Sequence, residues 1–125
     1  LPAGFGAAKN LSTVAFHGPN ASVNADVENA IKAMHQAGKP IGALCIAPAV
    51  IARILGNVEV TIGRDPGTAQ AIEKMGVKHV EAGHGEVVLD EKNKIFTTPC
   101  YMLDATIVQI YDGAYNVVME MLKVL

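Results

Sequence analysis

Charge is scarce in this 125-residue sequence: Lys, Arg, Asp and Glu together make up 18% of it, and the formal balance is −2. No block of basic residues occurs, so the chain carries no electrostatic footprint for nucleic acid. Long apolar runs are missing too. Nothing approaches the roughly 18 residues that a membrane-spanning helix needs, and no secretory signal pattern opens the sequence. Nucleic-acid and membrane partners are therefore not expected. Cysteine is limited to Cys45 and Cys100, too few for a disulfide-stapled scaffold, which points to a reducing compartment. With four scattered histidines and cysteines 55 positions apart, no metal-ligand spacing appears. Neither a metal nor a cofactor is expected. Two matches to the glycosylation acceptor pattern, at Asn10 and Asn20, read as chance in such a compartment.

What the sequence has is apolar mass. Half its residues are apolar, enough for one domain with a real core and too much for disorder. Apolar runs of strand length alternate with stretches of helical period. The pattern predicts strands at 41–45, 58–62, 77–80, 86–89 and 95–98. Helices are predicted at 7–12, from a cap at Asn24 or Ser22 to Ala37, at 47–55, from the Asp65-Pro66 pair to Gly76, and from about Met102 to Leu125. Strands alternating with helices argue for α/β with a largely parallel sheet, and the 86–98 hairpin adds an antiparallel element.

The chain is organised around Pro40-Ile-Gly-Ala-Leu-Cys45-Ile-Ala-Pro48. A short apolar run ends in a cysteine and switches at once to a helix with Pro48 in its first turn. Ala43 and Ala47 leave room for a sharp reversal. This is the layout of a nucleophile elbow with Cys in place of Ser, and a helix N-terminus favours a thiolate. The competing reading is a small buried hydrophobe. Sites in open α/β sheets lie at the carboxyl ends of strands, where Cys45 falls, and this favours the functional reading. The strand itself lacks alternation, as expected of one covered on both faces. A Gly4-Phe5-Gly6 loop precedes the first helix.

Four segments carry a family resemblance: Pro2-Ala-Gly-Phe-Gly-Ala-Ala-Lys-Asn-Leu-Ser12, His35-Gln-Ala-Gly-Lys-Pro40, Cys45-Ile-Ala-Pro48 and Asn93-Lys94 with Thr97-Thr-Pro-Cys-Tyr-Met102. They resemble the ElbB family, described as isoprenoid-biosynthesis glyoxalase or enhancing lycopene biosynthesis protein. That family is a branch of the class I glutamine amidotransferase-like superfamily, which also holds deglycase and PfpI-type members. The resemblance implies a flavodoxin-like three-layer α/β sandwich. It also implies that these residues form the C-terminal part of one such domain, because family members carry an N-terminal β-α-β portion first. The start at Leu1, without methionine, agrees with that expectation. Ala3 stands where the family has glycine.

Carried over residue by residue, the resemblance makes Cys45 the nucleophile and the backbone N–H groups of Gly4 and Ile46 its oxyanion-type donors. The base would be a glutamate of the preceding portion. The implied activity is a cofactor-independent glyoxalase acting on small dicarbonyls, in a homodimer. Localisation would be cytoplasmic, or mitochondrial if the source is a eukaryote. Amidotransferase chemistry would need His and Glu after the strand at 95–98, where the sequence reads Thr97-Thr-Pro-Cys-Tyr101. His79 and His84 read as strand-end and loop residues, and Cys100 as a tolerated small residue near a helix start, not a resolving cysteine. The alternative is a non-enzymatic protein using Cys45 to sense oxidants or bind a small ligand.

Overall fold

The computed structural model describes Leu1 and residues 4–125, so the Ala3 departure lies outside the described residues. The order of elements is α1 (Phe5–Leu11), α2 (Val14–His17), α3 (Ala25–Gln36), β1 (Ile41–Leu44), α4 (Ala47–Leu55), β2 (Glu59–Val60), α5 (Pro66–Lys74), β3 (Lys78–His79), β4 (Val88–Asp90), β5 (Ile95–Thr98) and α6 (Ile107–Leu122). Side-chain caps set three of the helix starts. The Asn24 side chain accepts from the Asp26 and Val27 N–H groups at the start of α3. Asp65 accepts from the Thr68 N–H at the start of α5, with Pro66 in the first turn.

β1 pairs in parallel with β5, and β4 joins the other edge of β5 antiparallel, giving the order β1-β5-β4. A second parallel pair, β2 with β3, lies beside it. The expected mixture of parallel sheet and late hairpin is present. The predicted strand at 58–62 is much shorter than expected, and its hydrogen bonds explain why. The Glu59 N–H donates to the Asp90 carboxylate (2.9 Å) and the Thr61 N–H to the Thr97 hydroxyl (3.0 Å). Side chains, not a backbone ladder, join β2 to β4 and β5.

The layers follow from alternation along β1. Ile41 and Ala43 face one way, into a core with Ile31 of α3 and Ile51 of α4. Gly42 faces α6, where an added Cβ would stand 2.9 Å from Val117 Cγ1. Helices thus cover both faces of the sheet. The α6-facing positions of β1, Gly42 and Leu44, are only half-buried, so full cover on both faces is corrected to one buried and one partly covered face.

Two further boundaries differ from the sequence reading. Residues 14–20, expected as loop from His17 on, contain α2 and a 3₁₀ turn. α6 begins at Ile107 instead of about Met102, because Thr106 and Gln109 form a capping box and Cys100–Met102 is a separate 3₁₀ turn. The helical period places Ile107, Ile110, Ala114, Val117, Met121 and Leu125 on one face of α6; Val117 is buried, Ile107 and Leu125 are 79% and 83% exposed, and Gly113, outside that stripe, is buried.

Candidate functional site

Cys45 stands between β1 and α4. Its N–H donates to the Thr98 carbonyl (3.0 Å), extending the β1–β5 ladder one residue past Leu44. The chain then reverses: Cys45 has φ 61°, in the left-handed region that a non-glycine side chain seldom occupies. Ile46 is the N-cap of α4, and Pro48 lies in the first helical turn. From Ala47 to Ala52 every residue of α4 is buried, which fixes the start of the helix against the sheet. Beside the last turn of α4, Arg53 Nε donates to the carbonyl of buried Ala21. The elbow is therefore held at both ends, by a ladder bond before it and a buried helix after it. Backbone strain of this sort persists only where the surroundings over-determine it.

The structure brings the other two expected site residues into the same neighbourhood. Gly4 caps α1 with φ 116°. Together with Ile46 it lines a narrow apolar cleft that also touches Ala8, Ala47 and Val50. A larger cavity of about 330 Å³ lies between α2, α4 and α5, walled in part by Phe5, Val14, Ile46, Asp65 and Ile72. It reaches the elbow through Ile46, and Cys45 is not in its wall. The Cys45 side chain is 6% exposed, so only a small reagent has direct access to it.

Cys100 is the residue that sequence reasoning set aside. It follows β5 by two residues, is buried, and has φ 45°. Both cysteines are free thiols, and both leave the carboxyl ends of neighbouring parallel strands. Burial pushes the Cys100 thiol up, and the adjacent Cys45 pushes it further. Its place follows from register, which no local sequence pattern signals: Thr98 is the strand partner of Leu44, so a residue just past it emerges at the elbow's end of the sheet.

Histidines do not complete a triad here. His79 Nε2 accepts the Ile62 N–H (3.2 Å), and burial lowers its pKa against the opposing charges of Glu73 and Glu81. His35 Nε2 pairs with Asn93 Oδ1 at 3.0 Å. His17 and His84 are exposed. Among the described residues, no group of three or more His, Cys, Asp or Glu side chains could hold a metal ion. The described helices also include none long and apolar enough to cross a membrane.

The mixed α/β fold, in which a positive-φ cysteine links a parallel strand to a buried helix, is similar to that of amidotransferase-like proteins. The chain superposes with a TM-score of 0.87 on a crystal structure from Ehrlichia chaffeensis, described as an isoprenoid biosynthesis protein with amidotransferase-like domain. The two are 34% identical over 98% of this chain and 56% of that one. In sequence the chain is 45% identical to the human glutamine amidotransferase-like class 1 domain-containing protein 3, mitochondrial, over 98% of its own length and 49% of that protein. It is 42% identical to the rat ES1 protein homolog, mitochondrial, and 36% identical to the zebrafish ES1 protein, mitochondrial, each again over 98% of the chain. The chain spans about half the length of the curated relatives it matches. No family model matches it.

Proposed function

We propose that Cys45 is the nucleophile of a cofactor-independent glyoxalase of the ElbB type, acting on small dicarbonyls such as glyoxal within a protein longer than these 125 residues. The observation that carries this reading is the conformation of Cys45: a left-handed elbow at a strand end, held by the bond to Thr98 and followed by the N-terminus of α4. Strain there supports a reactive thiol better than a packing one.

In the proposed reaction the Cys45 thiolate adds to one aldehyde carbon, giving a hemithioacetal. A base removes the proton from that carbon and returns one to the neighbouring carbon, leaving a hydroxyacyl thioester. Water hydrolyses the thioester to the hydroxy acid and frees the thiolate. The Gly4 and Ile46 N–H groups are proposed as donors to the oxyanion, supported by their shared cleft. The base is proposed to be a glutamate from outside these residues. Amidotransferase chemistry is disfavoured because the stretch Thr97-Thr-Pro-Cys-Tyr101 at the end of β5 holds neither the His nor the Glu it would need.

The mitochondrial names of three relatives support a mitochondrial location, and the isoprenoid-biosynthesis description of the structural neighbour supports a role near that metabolism. A homodimer remains the proposed assembly. The test is glycolate formation from glyoxal by the full-length protein, with Cys45→Ser as control. Turnover that survives Cys45→Ser rejects the nucleophile assignment.

A further inference from the structure

We infer that Cys45 and Cys100 form a peroxide-responsive thiol pair, in which Cys45 is oxidised first and Cys100 resolves it to an intramolecular disulfide. This goes beyond the proposed turnover and does not require it.

Three observations converge on the pair. The Cys45 N–H bond to the Thr98 carbonyl completes the Leu44–Thr98 pairing at the end of the parallel ladder, so Cys45 lies one residue past one member of that pair and Cys100 two past the other, on strands about 4.8 Å apart. Two cysteines leaving adjacent strands this way emerge at the same corner of the sheet, and a disulfide spans Cα separations of about 4.4–6.8 Å. Second, four non-glycine residues among those described have positive φ, and both cysteines are among them. A purely packing role for either side chain gives no reason for that strain. Third, α6 closes over Cys100: an added Cβ at Gly113 would lie 3.7 Å from its sulfur and 3.3 Å from Thr98 Oγ1. The Cys100 sulfur thus lies in contact range of α6, beside the Thr98 hydroxyl.

The order of events follows from the surroundings. Cys45 precedes the free N–H groups of α4, which attract negative charge. The Cys100 thiol is pushed up by burial and by Cys45 beside it, which favours its protonated form. Hydrogen peroxide is small enough for thiols that are 6% and 8% exposed. The Cys45 thiolate takes the terminal oxygen of the peroxide, breaking the O–O bond and releasing hydroxide, to give the sulfenic acid. The Cys100 sulfur then attacks the Cys45 sulfur. The S–O bond breaks, the Cys100 proton leaves with the oxygen as water, and the S–S bond forms. Two thiols together lose two electrons to one peroxide. Without a resolving partner, sulfenic acid proceeds to sulfinic acid, which thiols do not reverse.

The test is to treat the protein with dilute peroxide, alkylate the remaining thiols, and measure intact mass and unreduced peptides. The expected product is a monomer lighter by two hydrogens, with neither cysteine alkylated, a Cys45–Cys100 linked peptide, and full reversal by dithiothreitol. Under the same dose Cys100→Ala should gain two oxygens at Cys45, irreversibly. Cys45→Ala should leave Cys100 alkylatable. Sulfinic acid at Cys45 of the wild type with no linked peptide, a disulfide found only between molecules, or unchanged rapid oxidation of Cys100 in Cys45→Ala would each overturn the inference.

Discussion

Gly42 is the position where one added methyl group tests whether α6 sets the placement of the elbow. Its Cβ would stand 2.7 Å from Met121 Sδ and 2.9 Å from Val117 Cγ1, three residues before Cys45 on a strand whose next neighbour, Ala43, is fully buried. Met121 is long and half-buried and can swing aside. Val117 is stiff at χ1 and 4% exposed, so relief there requires α6 to move. Gly42→Ala gains about 0.4–1 kcal/mol by restricting the unfolded chain. Overpacking of this kind loses about 1–3 kcal/mol. The clash wins, for a net loss of about 1–2 kcal/mol, which lowers Tm by roughly 4 °C per kcal/mol in a domain of this size. A double-mutant cycle with Val117→Ala isolates the cause. Removing the valine alone empties buried volume, but in the Gly42→Ala background it also removes the clash. The double variant should therefore be more stable than the sum of the singles predicts, by about 1 kcal/mol or more. Thermal unfolding of the four proteins measures this. An additive cycle, or a Gly42→Ala protein more stable than wild type, refutes the reasoning.

Two more substitutions test the joints between the sheets. Asp90→Ala removes the acceptor for the Glu59 N–H, the Asn93 N–H and Asn93 Nδ2, bonds of 2.9–3.0 Å, and should lower unfolding stability by about 3 kcal/mol. Burial opposes the Asp90 charge, but these bonds and Lys92 outweigh it and hold the pKa below its ordinary value. The stabilisation should thus be complete above the unfolded value of about 3.9 and vanish as pH falls through the folded one; a wild type and variant that differ equally at every acid pH exclude this account. His79→Ala strands the N–H of fully buried Ile62 and should lose about 1–3 kcal/mol. Because the folded His79 pKa is lowered, its contribution is whole above about pH 6.5 and declines as pH drops toward the folded value, a slope that denaturant titrations from neutral to mildly acidic pH should show in wild type and not in the variant.

Where a helix end is decided by one side chain and its neighbours, the sequence was readable. Asn24 or Ser22 and Asp65-Pro66 mark two helix starts, since a cap is a local device within four residues, and Pro48 in the first turn marks a third, α4, which has no side-chain cap. α6 shows the same rule from the other side: the Thr106–Gln109 capping box starts the helix at Ile107, while apolar period alone extends it back to about Met102. Burial on α6 depended on more than period. Ile107 and Leu125 fit the apolar repeat and are exposed, while Gly113 is buried because α6 must pass close to Thr98. A glycine carries no hydropathy signal of close approach.

β2 marks the deeper limit. Val58-Glu-Val-Thr-Ile62 has strand composition, yet its N–H groups at Glu59 and Thr61 go to side chains more than 30 positions away. Local sequence reports the propensity to extend, not which acceptors tertiary structure will offer. The same distinction decides the site. Cys45 was recognisable from its own neighbours. Cys100, 55 positions later, acquires meaning only through the register Leu44 to Thr98, which no local pattern of either segment contains. Pairing of β1 with β5 is what turns two isolated cysteines into neighbours, so the chemistry open to Cys45 is set as much by strand register as by the elbow.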